Sequence, residues 1–294
     1  INTIRTLLVM ILLIGITGVS MAQLGRANKY FDSQNYDDAV VYYEKVLKKD
    51  DTNKEAIQNI AYAYRKLKNY EKAELYYGKA VEVNPSESTN HLYYGQALKN
   101  NDKVSDAKKQ FEAFVAKNPN SFFGKLMVQS CGDIKKWQAD EKAYAVEIVP
   151  NINSENSDFC PVVYQDGLLF VSERGLDLVN ENNYSMSNKP YLSIFHAKSS
   201  KNYEKVKRVS GKLNSVYHDG PVSISGDGKT IYFTRVVKKE QGKNFVNRLK
   251  IYSATMEGKK WKDVVSFQYN SDDYSVAHAW ITEDGKKLFF ASDM

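Results

Sequence analysis

Two cysteines and four histidines are all that 294 residues supply of the side chains most used to hold metals. His91, His196, His218 and His278 fall in no metal-ligand spacing, so no metal site and no cofactor are expected. A Gly-x-Ser-x-Gly elbow, a His-Glu-x-x-His helix and a Gly-rich phosphate loop are all missing, which removes the usual signatures of hydrolases, metalloproteases and nucleotide binders. The run Ser223-Ile224-Ser225-Gly226-Asp227-Gly228 reads as a hairpin turn, and Asp166, Asp227 and Asp284 are turn residues before they are carboxylate ligands. The chain is therefore not expected to be an enzyme. With 41 basic and 35 acidic residues the net charge is +6, and no dense basic stripe interleaves with aromatics, so nucleic acid is not an expected partner.

The apolar run Leu7 to Val19 is 13 residues, too short to span a bilayer comfortably. Arg5 precedes it and Ser20-Met21-Ala22 follows, which makes residues 1–22 an expected secretory signal cut after Ala22; a retained anchor is the alternative. No cysteine follows the run, so a lipoprotein anchor is not expected there. The chain opens on Ile1, which places the expected true start upstream. Export makes Cys131 and Cys160 a disulfide candidate, the other reading being two buried free thiols.

What is abundant is repetition. Ala27, Ala61 and Gly95 lie 34 residues apart, as do Ala39, Ala73 and Ala107, then Tyr43, Tyr77 and Phe111. That is the tetratricopeptide period: small residues where two antiparallel helices approach closely, aromatics where they interlock. Three units are expected, at about 20–53, 54–87 and 88–121, so that 23–120 forms an α-solenoid. Residues 121–144, with Phe122, Phe123, Leu126, Met127 and Ile134, read as a capping helix and linker. Stacked units present a concave face that usually holds another protein. Its expected lining is Leu24, Asn28 and Phe31, then Gln58, Tyr62 and Arg65, then Leu92, Gln96 and Lys99, with Tyr62 and Phe31 as anchors and Arg65 and Lys99 as orienting cations. Repeat proteins that grip a chaperone's terminal carboxylates use a Lys and Asn clamp; Asn28 matches one position, but Leu24 stands where a Lys is needed.

From about residue 145 the period becomes strand-like. Three segments repeat as strand, Asp-Gly turn, strand, with the turns at Asp166, Asp227 and Asp284 spaced by 61 and 57 residues. Two further strands per unit are expected, Tyr191–Ala197 matching Leu249–Ala254 and Tyr203–Val209 matching Trp261–Phe267. Four strands per unit is the plan of a β-propeller blade, and the segments resemble PD40, WD40-like repeats. On this reading 145–294 holds two and a half blades of an incomplete propeller, and the fold class is α + β multidomain.

Signal, three tetratricopeptide units, capping helix and PD40 blades, in that order, resemble the OmpA-family periplasmic proteins of Bacteroidota of the PorE and SprD types, linked to type IX secretion and gliding. Asn153-Ser154 with Ser157-Asp158-Phe159, and Leu288 to Met294, look typical of it. The resemblance implies a non-enzymatic periplasmic scaffold at the outer membrane. Its implied partners are an outer-membrane barrel of the PorP/SprF kind, an associated secreted or surface protein, and peptidoglycan through a carboxy-terminal domain absent from this sequence. A propeller-gated peptidase and a TolB-like lipoprotein-binding propeller are the alternatives.

Overall fold

The computed structural model describes residues 21–139, 145–175, 183–199, 203, 205–241 and 244–294. Most of the expected signal, residues 1–20, lies outside them. The chain divides into a helical unit, residues 1–144 with 185–188, and a β unit, residues 145–184 and 189–294.

The helical unit turns the 34-residue period into antiparallel pairs. A helix through residues 21–32 (α1) is followed by α2 (Tyr36–Leu47), α3 (Lys54–Lys66), α4 (Tyr70–Val83), α5 (Ser88–Asn100), α6 (Val104–Lys117) and α7 (Phe122–Ala139). Asn35, Asn53 and Asn69 start α2, α3 and α4 by accepting a hydrogen bond from the backbone N–H three residues on. The turn inside each pair repeats to the residue. Gln34, Lys68 and Asp102 take the left-handed conformation with φ near +60°, and the next N–H returns to the helix: Asn35 to Tyr30 O, Asn69 to Tyr64 O, Lys103 to Leu98 O. In the third turn Lys103 replaces the capping asparagine and donates instead to Glu74, at 2.6 Å.

Ala27, Ala39, Tyr43, Ala61, Ala73, Tyr77, Ala107 and Phe111 are all buried. Removing these side chains from water supplies the stabilisation that isolated helices of this length lack. Gly95 stands where the other units have alanine, and a Cβ there would lie 2.6 Å from Phe111 Cε1. Helix α7 packs Gly124, Met127, Val128 and Cys131 on α6 around Phe114. Its other face exposes Phe122 and Leu126.

The β unit contains two four-stranded antiparallel sheets. Strands β1 (Asp158–Tyr164), β2 (Gly167–Ser172), β5 (Ser193–Lys198) and β6 (Lys205–Arg208) form the first, in that order. Strands β7 (Asp219–Ile224), β8 (Thr230–Gln241), β9 (Asn244–Glu257) and β10 (Lys260–Ser266) form the second. The third hairpin is β11 (Val276–Ile281) with β12 (Leu288–Ser292), and a two-residue pair joins β3 (Asn183–Tyr184) to β4 (Lys189–Pro190). Among the described residues these sheets are open and close into no ring.

Each sheet repeats one polar device. Asp158 meets Arg174 at 2.7 Å, Asp219 meets Arg235 at 2.6 Å, and both carboxylates are buried. The arginine caps two aromatic rings of its own sheet, Phe170 and Phe195 for Arg174, Phe233 and Tyr252 for Arg235. Burial pushes the Asp158 carboxyl up, but hydrogen bonds from Ser172, Ser154 and Arg174 outweigh it and hold it below the ordinary value. The three Asp-Gly turns differ. Gly228 and Gly285 take positive φ, and Asp227 and Asp284 accept from the N–H two residues on and from a Ser or Thr hydroxyl. In the first hairpin the positive φ falls on Gln165, and Gly167 opens β2 where a Cβ would sit 2.0 Å from Ala197 O. That glycine serves close approach of two strands and not the turn.

Cys131 and Cys160, the expected disulfide pair, fall in different units and are both free thiols in this structure. Cys131 is a free thiol buried among Phe111, Phe114 and Met127. Cys160 is a free thiol exposed on β1, where a bulge between Phe159 and Val162 gives it φ +52° and turns it outward.

Candidate protein-binding groove

The first helix of each pair, α1, α3 and α5, carries the expected lining, and most of it is half-buried. Asn28 is engaged: it accepts from Tyr43 Oη at 2.7 Å and donates to Glu55 Oε1 at 2.7 Å. Phe31 lies edge-on to Tyr36, Tyr43 and Tyr62, so it supports the groove as much as it lines it. Leu24 packs partly against the helical core, and Gln58 sits half-buried on α3. Leu92 is not on the open face; it is buried with Leu98, Phe111 and Phe114.

Arg65, Gln96 and Lys99 come together. With Tyr70, Asn100 and Met127 they line a depression of about 460 Å³. The Arg65 guanidinium lies 4.0 Å from the Tyr93 ring centroid and 4.9 Å from that of Tyr62. Its Nε donates to Tyr77 Oη at 3.3 Å. Tyr77 is pushed up to about 12, mainly by burial, against the lowering effect of Arg65. Such a cation is held in orientation, which lowers the entropy lost when it grips a carboxylate. Lys99 Nζ donates to Ser130 Oγ at 2.7 Å.

Two lining residues escaped the sequence reading. Asn59 donates to Tyr43 Oη at 2.9 Å, joining Asn28 in one network, and Tyr93 supplies the second ring under Arg65. They belong to the 34-residue series Gly25, Asn59, Tyr93, one residue beyond Leu24, Gln58, Leu92. One residue is 100° of helix, enough to turn a side chain from the core to the groove. The signal available was Leu92 itself, an apolar residue on a face read as open.

A Tetratricopeptide repeat family model matches residues 55–87, and a second one matches residues 90–121. RNA polymerase II-associated protein 3 of Homo sapiens is 34% identical over 97 residues, 33% of this chain and 15% of that protein. The chain thus spans about a seventh of the relative's length. Among solved structures, the first TPR of Spaghetti (RPAP3) bound to HSP90 peptide SRMEEVD is 28% identical at TM-score 0.36, covering 40% of this chain and 93% of that one. The first TPR domain of the human RPAP3 protein is 27% identical at TM-score 0.35, covering 42% and 97%.

Residues 55–87 and 90–121 are tetratricopeptide repeats, units of a protein–protein interaction domain. The expected membership of the Bacteroidota OmpA-type periplasmic family is corrected, because the match falls on RNA polymerase II-associated protein 3. Small-residue and aromatic spacing follows from helix packing, which all tetratricopeptide proteins share, so it could not single out that family. The expected barrel and peptidoglycan partners rested on that membership and fall with it.

Proposed function

We propose that the groove of α1, α3 and α5 binds a short acidic segment of a partner protein, with Arg65 and Lys99 as the cations that meet it. The observation that carries this is Arg65 held between Tyr62 and Tyr93 beside Gln96 and Lys99 in one depression. The peptide bound in the Spaghetti structure, SRMEEVD, has the required chemistry. Leu24 is apolar and Asn28 is engaged by Tyr43 and Glu55, so the charge is met on α3 and α5 and not on α1. Fluorescence anisotropy of labelled SRMEEVD with the full chain tests this. Binding should weaken about tenfold or more in Arg65→Gln with Lys99→Gln, since charge-assisted hydrogen bonds are each worth about 1.5–3 kcal/mol. Equal binding by parent and double variant, or binding unchanged when the peptide's acids become amides, would sink the reading.

We also read the β unit as PD40-type propeller blades, supported by two four-stranded sheets that repeat the Asp–Arg–aromatic device 61 residues apart. Asp158→Asn and Asp219→Asn should then destabilise this unit alike, and a loss confined to one would count against repeated blades. Residues 1–22 are proposed to direct export, for which the mature amino terminus should be Gln23.

A further inference from the structure

Helix α7 continues the 34-residue series as the first helix of a fourth pair. Lys125, Val128 and Gln129 stand one period after His91, Tyr94 and Gly95. In the third pair α6 covers that face: Phe111 packs over Gly95, and Gln110 Oε1 lies 2.8 Å from His91 Nδ1. Among the described residues no second helix follows α7, and the next element is β1. The seat stays open as a depression of about 480 Å³, lined by Glu112, Val115 and Ala116 of α6 and by Lys125, Val128 and Gln129 of α7.

The stripe of α7 beside this seat is rich in large apolar side chains. Phe122, Leu126, Gln129, Asp133 and Trp137 recur every three or four residues, which places them on one side of the helix. Phe122, Leu126 and Trp137 are exposed, Phe122 by 80%. Large apolar side chains exposed together mark a surface that another molecule covers. The third pair shows what shape fits the seat: a helix laid antiparallel against it.

The charges say whose helix it is. Lys125 and Asp133 lie four residues to either side of Gln129. Neither is in an ion pair among the described residues, whereas Glu112 of the depression is already paired with Lys108 at 3.8 Å. A two-fold axis through Gln129 that runs two α7 helices antiparallel sets each Lys125 opposite Asp133 of the other copy. One operation therefore answers all four charges. A residue on such an axis meets itself, and the Gln129 amide can do so because it both donates and accepts.

We propose that the chain forms a two-fold homodimer in which α7 of each copy lies antiparallel on the α6–α7 seat of the other, with Gln129 on the axis and Lys125 paired to Asp133 of the second copy. Met127 and Ser130, which serve the peptide groove, lie on another side of α7. The failure of either reading leaves the other standing.

Sedimentation velocity of the full chain over a concentration series tests it. The parent chain should run as a dimer. Lys125→Asp and Asp133→Lys each set like charges across the axis and should weaken association about tenfold or more. Mixed in equal amounts, the two variants should associate as tightly as the parent, because every pair across the axis is again of opposite sign. Should either variant fail to fold, Leu126→Gln, at an exposed position, carries the test by weakening the dimer without touching charge. A parent that stays monomeric throughout, folded variants as dimeric as the parent, or a mixture of folded variants no tighter than either alone overturns the proposal.

Discussion

Replacing Gly95 by alanine adds one methyl group, and the structure states where it goes. The Cβ would lie 2.6, 2.7 and 3.0 Å from three carbons of the Phe111 ring, which is itself fully buried. Either the ring or the α5–α6 spacing must give. Overpacking of this kind costs about 1–3 kcal/mol. Against that, alanine in a helix interior is better than glycine by about 1 kcal/mol. Gly132→Ala in α7 separates the two effects, because a Cβ there meets nothing within 4 Å. It should stabilise by about 0.4–1 kcal/mol. The difference between the variants, about 1–3 kcal/mol in favour of Gly132→Ala, is then the cost of the clash alone. Urea unfolding followed by helical circular dichroism at 222 nm measures it. The first two units house alanine at this position against Tyr43 and Tyr77, so relaxation of the third pair to their spacing is the competing outcome. Equal stability of the two variants would show that outcome and refute the close-approach account of Gly95.

Tyr43→Phe removes the hydroxyl that donates to Asn28 and accepts from Asn59, without changing volume; a loss of about 1–2 kcal/mol is expected in the same urea assay, and one below about 0.5 kcal/mol would show that water replaces the hydroxyl. Glu74 is desolvated by burial, but hydrogen bonds from Lys103 and Asn101 bring its pKa below 4.5. Its contribution is therefore complete above pH 4.5 and disappears as pH falls through the lower folded value; the stability gap between parent and Glu74→Gln should narrow on acidification through that window, and a gap constant from pH 7 to pH 3 would contradict the linkage. Iodoacetamide under native, non-reducing conditions should label Cys160 quickly and Cys131 only on unfolding, as its thiol is buried and its pKa raised chiefly by that burial; a peptide joining the two by mass mapping would reverse the free-thiol assignment.

The helical repeat was legible because its cause is local. Interlocking of two antiparallel helices sets which residues are small and which aromatic, and the left-handed turn residues Gln34, Lys68 and Asp102 keep the same 34-residue spacing. The strands were legible from alternation and Asp-Gly turns, even though Gly167 proved to serve a close strand contact. The groove was legible only in part: Arg65, Gln96 and Lys99 line one depression, while Leu92 turned inward and Asn59 and Tyr93 went unread. Family and partner were not legible, because packing rules common to every tetratricopeptide array carry no information about what its groove holds.

Period and alternation by themselves determined which residues would be buried in each helix pair and each sheet, since burial follows from side-chain direction along a regular backbone. Only the tertiary structure decided how those elements share space. It set Arg65 between two rings from different helices, turned Cys160 outward at a bulge, and left the seat beside α6 and α7 open. No local rule relates the residues that meet there: their meeting depends on the rotation of one element against the next, which packing of the whole unit fixes.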